Sequence, residues 1–519
     1  MTKPRILWAD DEIDLLKPHI LFLTAKGYEV TPVNSGVDAV DRCKEEQFDI
    51  VFLDENMPGM TGLEALAIIK GAKPTLPVVM ITKSEEEHIM EGAIGAKIDD
   101  YLIKPLNPNQ ILLSVKKILE GRTLISEKTT IGYQQDYRNI ANQYQDRIGA
   151  EEWAETYKKL IFWEMEMDQT QNKEMADVLN MQKEEANANF FKFIKEEYED
   201  WLNDPKAEKP MMSHLLMRKK VFPLIKTDEP LFFVLIDNLR MDQWKVIQPA
   251  FEDLFRVEEE SHYYSILPTA TGFARNAIFS GLLPSEMEKQ HPDLWVGDDD
   301  DEGKNMNEEM FLKRQLAKTT WKDTKVSYHK ILNVQQGKDL ADKLPNLWGN
   351  GLNVIVYNFV DMMSHARTDS TMVRELAPDE AAYRSLTNSW FAHSPLIEIL
   401  KRIAAKGGRV VLTTDHGTIR VKRPFKIVGD RTVNSNLRYK QGKNLGFENN
   451  GTVLHVAKPD RFFLPKPNVS THYVFTPEDY FFAYPNNYNH YVNHYKDTFQ
   501  HGGISLEEMI IPFVIAKAR

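Results

Sequence analysis

One cysteine, Cys43, stands in 519 residues. That excludes an internal disulfide and a cysteine-built zinc site, and it suits a reducing compartment. No apolar run is long enough to span a bilayer. The N-terminal stretch MTKPRILWADDE reaches acidic residues at once, without the apolar region of a signal peptide. A cytoplasmic protein with no membrane insertion is expected. Positive charge is short as well: 64 Lys and Arg face 76 Asp and Glu, a formal net charge of −12. This argues against a dedicated polyanion binder but leaves room for a local basic patch. A helix-turn-helix signature and internal repeats are both missing, which weakens the DNA-binding regulator class.

What is present is ordinary globular material, 42% hydrophobic and 27% charged, in a chain too long for one core. Three textures follow one another. Over residues 1–122 short apolar runs (RILWA, IVFL, PVVMI, YLI) alternate with amphipathic stretches, which reads as βα units on a parallel sheet. NPNQILLSVKKILEGR reads as the closing helix, capped by Asn107 or Asn109. Over 123–206 helix formers dominate. Trp153, Tyr157, Leu160 and Ile161 share one face, and Phe190, Ile194, Tyr198 and Trp201 share another. A small bundle or spacer is the plain expectation; a dimerisation or signal-transmitting element is the functional one. NDPKAEKP breaks the pattern. Over 207–519 fully apolar strands, LFFVLID, NVIVYNFVD and RVVLTTDH, alternate with helical patterns, as expected of strands covered on both faces. GDDDDEG, Gly297 to Gly303, reads as a solvated acidic loop.

Two constellations carry chemistry. In the first, Asp10, Asp11 and Asp54 follow strand ends, which converge in an open parallel sheet. Three carboxylates there repel unless a cation lies between them, and magnesium fits hard oxygen ligands. Thr82 and Lys104 add a hydroxyl and an ammonium suited to a phosphoryl group. The motifs DDE at 10–12, LDENMPGMTG around Asp54, Thr82 and the Lys104-Pro105 pair resemble the receiver domain of two-component response regulators. The resemblance implies that Asp54 accepts a phosphoryl group and that Asp10, Asp11, Asp54 and the Asn56 carbonyl hold Mg2+. It also implies that Thr82 and Lys104 contact phosphoryl oxygens, that Tyr101 is the switch aromatic, and that the Lys104–Pro105 bond is cis.

In the second constellation Asp237, Asp361 and Asp415-His416 follow apolar strands, His365 comes four residues after Asp361, and His501 precedes the strand-like MIIPFVI. Three aspartates and three histidines without cysteine are a ligand set for zinc, with manganese second. Six are too many for one tetrahedral site; two metals sharing them is more economical. A helix cap is the plain alternative for Asp415. In LPTATGFARNAIFSGLLP, Thr271 is placed to cap a helix and to act as a nucleophile, with phosphate at the helix N-terminus. Arg275 and Asn276, one turn on, are candidates for a phosphate oxygen or for packing. The ordered motifs DNLRMD, PTATG, DMMSH, TTDHG and HGG resemble the PglZ branch of the alkaline phosphatase superfamily. That resemblance implies two Zn2+, one on Asp361, His365 and His501, the other on Asp237, Asp415 and His416, with Thr271 between. His262, His291, His329 and His472 lack such acidic spacing and read as ordinary buried or surface residues.

Arg420 to Lys443 holds eight basic residues and one acid and is a candidate for steering an anionic substrate if exposed toward the site. The expected fold is α/β: an N-terminal flavodoxin-like receiver domain, a helical middle domain and a C-terminal alkaline-phosphatase-like α/β domain. The three together resemble the PorX-type response regulators linked to type IX secretion. The resemblance implies a sensor histidine kinase, a sigma factor or secretion component as partner, and a homodimer on phosphorylation. The expected activity is a zinc phosphodiesterase acting on nucleotide or oligonucleotide substrates; a non-catalytic zinc-containing signalling scaffold is the competing class.

Overall fold

The computed structural model describes residues 3–83, 98–143, 147–169, 173–226, 229–297, 305–369, 371–429, 436–448 and 451–519. Asp298 to Gly303, the body of the acidic loop, lie outside them. Contacts group the chain into two units, one of Met1–Gln135 and one built from Asp136–Gln169 and Lys173–Arg519.

In the first unit five parallel strands, β1 (Arg5–Ala9), β2 (Glu29–Val33), β3 (Ile50–Asp54), β4 (Val78–Thr82) and β5 (Asp100–Ile103), are ordered β2-β1-β3-β4-β5. β3 and β4 are buried at every residue, as their unbroken apolar runs require. Alternate side chains supply two cores, one through Leu7, Val51 and Met80, the other through Ile6, Phe52 and Val79. A capping box between Thr61 and Glu64 starts the helix Gly62–Ala72. Asn107 precedes the helix Pro108–Gln143 and accepts from the Asn109 amide at 2.9 Å, so of the two expected caps it is the one in place.

The second unit is built on a six-stranded sheet. β6 (Leu231–Ile236), β8 (Val326–Ile331), β9 (Leu352–Tyr357) and β10 (Arg409–Thr413) run parallel, in the order β10-β6-β9-β8. The C-terminal strand Ile510–Ala518 pairs antiparallel with both β10 and β7 (Phe255–Tyr264). One expectation changes here. NVIVYNFVD is not strand to its end: β9 stops at Tyr357, and Asp361 lies in the first turn of the helix Phe359–Asp369. That puts Asp361 and His365 one helical turn apart.

The helices Ala150–Gln169 and Lys173–Asn203 share the core of this unit, so the residue-206 break marks a helix end and no gap in packing. Phe190 and Trp201 lie 6.3 and 5.5 Å, ring to ring, from Tyr264 of β7. Tyr198 stacks on Phe462. The Tyr264 hydroxyl donates to the Ala150 carbonyl at 2.7 Å. Arg384 reaches Glu164 at 3.1 Å and Asp168 at 2.6 Å on the first of these helices. Among the described residues no helix is long and apolar enough to cross a membrane.

Because Phe190 is fully buried against both helix and sheet, Phe190→Ala is expected to destabilise the whole second unit by about 3–5 kcal/mol. Hydrogen exchange across β6 in increasing urea reads this. Unchanged protection of β6 would show the helices to be a separate folding unit.

Candidate metal centre and receiver site

At the carboxyl edge of the first sheet, Asp10, Asp11 and Asp54 offer oxygens within 4.8 Å of one another. The Lys104 ammonium lies 2.8 Å from Asp10 and 2.9 Å from Asp54. The Lys104–Pro105 bond is cis, as the resemblance implied. Burial pushes the Asp54 carboxyl above its ordinary range, against the pull of Lys104. Burial also works against the Lys104 charge, but hydrogen bonds to Asp10 and Asp54 hold its pKa above the usual lysine value. Thr82 is buried at the end of β4, while Asn56 and the Tyr101 ring are exposed. Asp10, Asp11, Asp54, Thr82 and Lys104 thus sit at strand ends on one edge, with Asp10 and Asp54 in direct contact with Lys104, while Tyr101 lies within β5 opposite Met80.

In the second unit the ends of β6 and β10 bring Asp237, Asp415 and His416 together, fully buried, with one donor atom each inside 4.8 Å. Asp237 Oδ1 has no hydrogen-bond donor, a costly state for a buried carboxylate and one that a cation relieves. His416 Nδ1 lies 3.2 Å from the Gly417 carbonyl. A carbonyl only accepts, so Nδ1 carries the proton and Nε2 is left as a donor atom for metal. His501 repeats the device: its Nδ1 lies 3.2 Å from the Thr269 carbonyl, and its Nε2 points to Asp361 Oδ1 at 3.8 Å. The two imidazole rings stack at 4.3 Å, so the two predicted ligand groups adjoin. His365 lies on the helix beside Asp361, but its side chain is outside the described ones. Imidazole nitrogens and carboxylate oxygens in this arrangement fit zinc.

The Thr271 hydroxyl sits 3.0 Å from His416 Nε2. Its expected second role is corrected. The helix Thr271–Ser280 has Ala270 as N-cap and no side-chain cap, with Thr271 as its first residue. The hydroxyl is therefore directed to the imidazole rather than to the helix amides. Arg275, one turn on, is fully buried and pairs with Asp237, with Asp415 at 3.0 Å and with Glu308 at 3.7 Å. Its charge is committed to carboxylates. Asn276 donates to the Gly272 carbonyl at 2.9 Å and so serves its own helix. Burial raises Asp237 well above the carboxylate range despite Arg275. Asp415 is equally buried, yet Arg275, His416 and backbone amides hold it below that range.

Sequence reasoning overlooked Asn238 and Thr269. Asn238 has φ +65° and is fully buried. Its amide N–H donates to Asp415 at 3.3 Å and its side chain to Asp361 at 3.4 Å, linking the two groups. Asparagine tolerates that backbone region, and an Asn directly after a strand-end Asp was the available signal. The Thr269 hydroxyl donates to the Gly503 carbonyl at 2.8 Å and accepts from the Gly502 amide at 3.1 Å, tying the Thr271 segment to the His501 segment. Nothing local in the sequence announced it.

The basic stretch is mostly neutralised. Arg438 is buried against Glu508 at 2.6 Å, Arg423 pairs with Glu478 and Asp479, and Arg420 and Lys422 each meet an acid at 3.0 Å. Lys426 and Lys440 lie over tyrosine rings, and Lys443 is exposed. Arg431 is outside the described residues. A broad steering surface is not what these side chains form.

A phosphoacceptor-type sheet edge joined to a buried Asp/His centre beside a threonine defines a response regulator with an alkaline-phosphatase-like effector. Family comparison agrees: residues 6–116 match the response regulator receiver domain, 123–202 the PorX response regulator linker domain, and 216–516 the BREX system PglZ alkaline phosphatase-like domain. The chain belongs to the PglZ alkaline phosphatase-like family, in the PorX-type arrangement of receiver, linker and PglZ domain. Among curated relatives, the transcriptional regulatory protein ResD of Bacillus subtilis is 34% identical over 119 residues, 23% of this chain and 49% of ResD. The alginate biosynthesis regulator AlgB of Pseudomonas syringae is 36% identical over 120 residues, 23% of this chain and 27% of AlgB. The chain thus spans about half or less of the length of these relatives. A CheY-like receiver structure from Methanospirillum hungatei is 27% identical, covering 23% of this chain and 95% of that one, at a TM-score of 0.23. The alkaline-phosphatase-like membership points to metal dependence.

Removing the shared guanidinium takes the buried cation from Asp237 and Asp415, while Glu308 keeps Lys330 at 3.0 Å. Arg275→Met is expected to cost about 3–5 kcal/mol of stability. Without the guanidinium the folded-state pKa of Asp237 rises further above its unfolded value. Protonation therefore favours the folded variant as pH falls. The deficit should be larger at alkaline than at mildly acidic pH, read from urea midpoints.

Proposed function

We propose that the second unit is a zinc-dependent phosphodiesterase acting on nucleotide or oligonucleotide diesters, with Thr271 as nucleophile. The single observation that carries this reading is the Thr271 hydroxyl at 3.0 Å from His416 Nε2, at a helix start and beside the adjoining Asp/His groups. Asp237, Asp415 and His416 would hold one zinc, and Asp361, His365 and His501 the other. Zinc bound there supplies Lewis-acid stabilisation of the threonine alkoxide and of the leaving oxygen. Thr271 Oγ1 would attack phosphorus and expel one alcohol of the diester; water would then attack the phosphothreonine, releasing the phosphomonoester and restoring the Thr271 hydroxyl. Asn238 keeps both carboxylate groups in register. A diester is favoured over a monoester by charge. A monoester dianion needs an extra cation, and the nearby guanidinium of Arg275 is spent on Asp237, Asp415 and Glu308.

The first unit is proposed to be phosphorylated on Asp54 by a sensor histidine kinase, with Mg2+ on Asp10, Asp11, Asp54 and the Asn56 carbonyl. Thr82, Tyr101 and Lys104 would read the phosphoryl group, and the product would be a homodimer. Added phosphoryl charge at a buried edge already held by Lys104 supports that reading. The PorX-type arrangement supports a place in the control of type IX secretion, through a sigma factor or secretion component.

Thr271→Val should abolish hydrolysis of a chromogenic phosphodiester while zinc content stays that of wild type. Zinc-loaded protein with no turnover above the variant would leave the domain a metal-containing scaffold. Asp54→Asn should block labelling by acetyl phosphate and hold the protein in its unphosphorylated oligomeric state, read by sedimentation. An equal mass shift in wild type and variant would remove Asp54 from the switch.

A further inference from the structure

Two buried residues of the helix Lys173–Asn203, Asn187 and Tyr198, make polar contacts that land on segments carrying site residues. Toward its middle, the Asn187 side chain works both ways: Nδ2 donates to Glu507 at 3.1 Å and Oδ1 accepts from the Leu506 amide at 2.9 Å. These residues belong to the turn Leu506–Met509, which begins a few residues after His501. The same turn backs the other histidine. The Gly417 amide donates to the Glu508 carbonyl at 3.3 Å, and a Cβ on Gly417 would lie 2.1 Å from the Glu507 carbonyl. Glu508 in turn accepts from the Gly503 amide at 2.8 Å. Three turns along the helix, the Tyr198 hydroxyl accepts from the Leu267 amide at 2.8 Å, four residues ahead of Thr271. Asn187, Tyr198, Leu267 and Leu506 are all buried.

The geometry points to Asn187 and Tyr198 as positioning residues of the metal centre: through one helix, the middle segment sets where the imidazoles of His416 and His501 stand relative to the Thr271 hydroxyl. A spacer needs only apolar contacts with its neighbour. Here the donors and acceptors are matched one to one inside the core, where an unmatched backbone amide is costly. The two contacts also sit on different parts of the site. Asn187 supports the segments holding imidazoles, and Tyr198 the segment holding the nucleophile. Thr269 ties those segments directly to each other, so a shift of the helix is felt by both. Displacing or rotating this helix is thus a way to misalign the centre without unfolding it. Only the kinetic arm of the test below rests on the phosphodiesterase reading.

The full-length protein serves, with zinc titrated against a chromophoric chelator and turnover followed on a chromogenic diester. Asn187→Leu removes both hydrogen bonds at similar volume and, acting through the Leu506–Met509 turn rather than on a ligand's own partner, should weaken zinc binding by up to about tenfold. The pair Asn187→Asp with Glu507→Gln reverses the donor and acceptor between these two side chains, leaves an oxygen for the Leu506 amide, and should restore wild-type affinity. Tyr198→Phe strands the Leu267 amide, and it should lower kcat about tenfold or more through misplaced attack, with KM unmoved and zinc affinity falling less than in Asn187→Leu, because Thr269 couples its segment to that of His501. Zinc binding by folded Asn187→Leu equal to wild type overturns the assignment. So does a loss of melting temperature in both variants with zinc affinity and kcat unchanged well below melting. Should Asn187→Leu not fold, Asn187→Ser, too short for either partner, is read the same way. If wild type itself turns over no diester, the phosphodiesterase reading falls while the zinc titration still decides this one.

Discussion

A single guanidinium among three carboxylates holds the effector site together. Arg275 lies fully buried against Asp237, Asp415 and Glu308. Stripped of water and unpaired, those carboxylates would protonate or force the strand ends apart. The guanidinium's fork geometry lets one side chain serve several acids at once. The β6–β10 ladder itself holds the strands side by side as far as Leu235 and Thr413, and the guanidinium bridges the carboxylates just beyond it. It also leaves Asp237 Oδ1 without a donor, so the pairing is incomplete and a divalent cation has a place to complete it. The same commitment leaves Arg275 no free charge for an anionic ligand, which is the ground for proposing a diester substrate.

Around that pair the fold uses carbonyls to orient imidazoles. Gly417 and Thr269 each accept from an Nδ1, turning Nε2 of His416 and His501 inward. The supports are themselves supported. The Arg438–Glu508 ion pair, buried on both sides, holds the glycine pair after His501. Gly503 is required there because a Cβ would meet the Thr476 carbonyl at 2.5 Å and the Arg438 side chain at 2.9 Å. Most of the charge in the basic stretch is spent in this way on architecture, whatever substrate approaches.

Much of this was legible because the relevant signals are local. Fully apolar runs identified buried strands, and acids directly after them identified the functional edge of each sheet, since parallel strands deliver their carboxyl ends to one side. The D-x-x-x-H spacing foretold a helical pair. Where reading failed, the cause was non-local. Thr271 reads as a cap because a hydroxyl before an apolar helix usually is one; only the nearby imidazole 145 residues on redirects it. Arg275 stands open between a phosphate and a packing role until Asp237, Glu308 and Asp415 arrive from distant elements. The positive charges from Arg420 to Lys443 look like one surface until Glu508, Glu478 and Asp497 fold against Arg438, Arg423 and Arg420.

The sequence by itself determined the two α/β cores, the helical stretch between them and which candidate acids stand at strand ends. Periodicity and strand-end acids are properties of neighbours along the chain, readable before any strand finds its partner. Tertiary structure alone decided that the helical stretch is part of the effector core, that Asn238 and Thr269 join the ligand groups, and which charges face water. Those outcomes depend on contacts between residues hundreds of positions apart, such as Asn187 with Glu507, and on which donor reaches a buried acceptor first. No local pattern encodes that competition; it is settled only when the whole core closes.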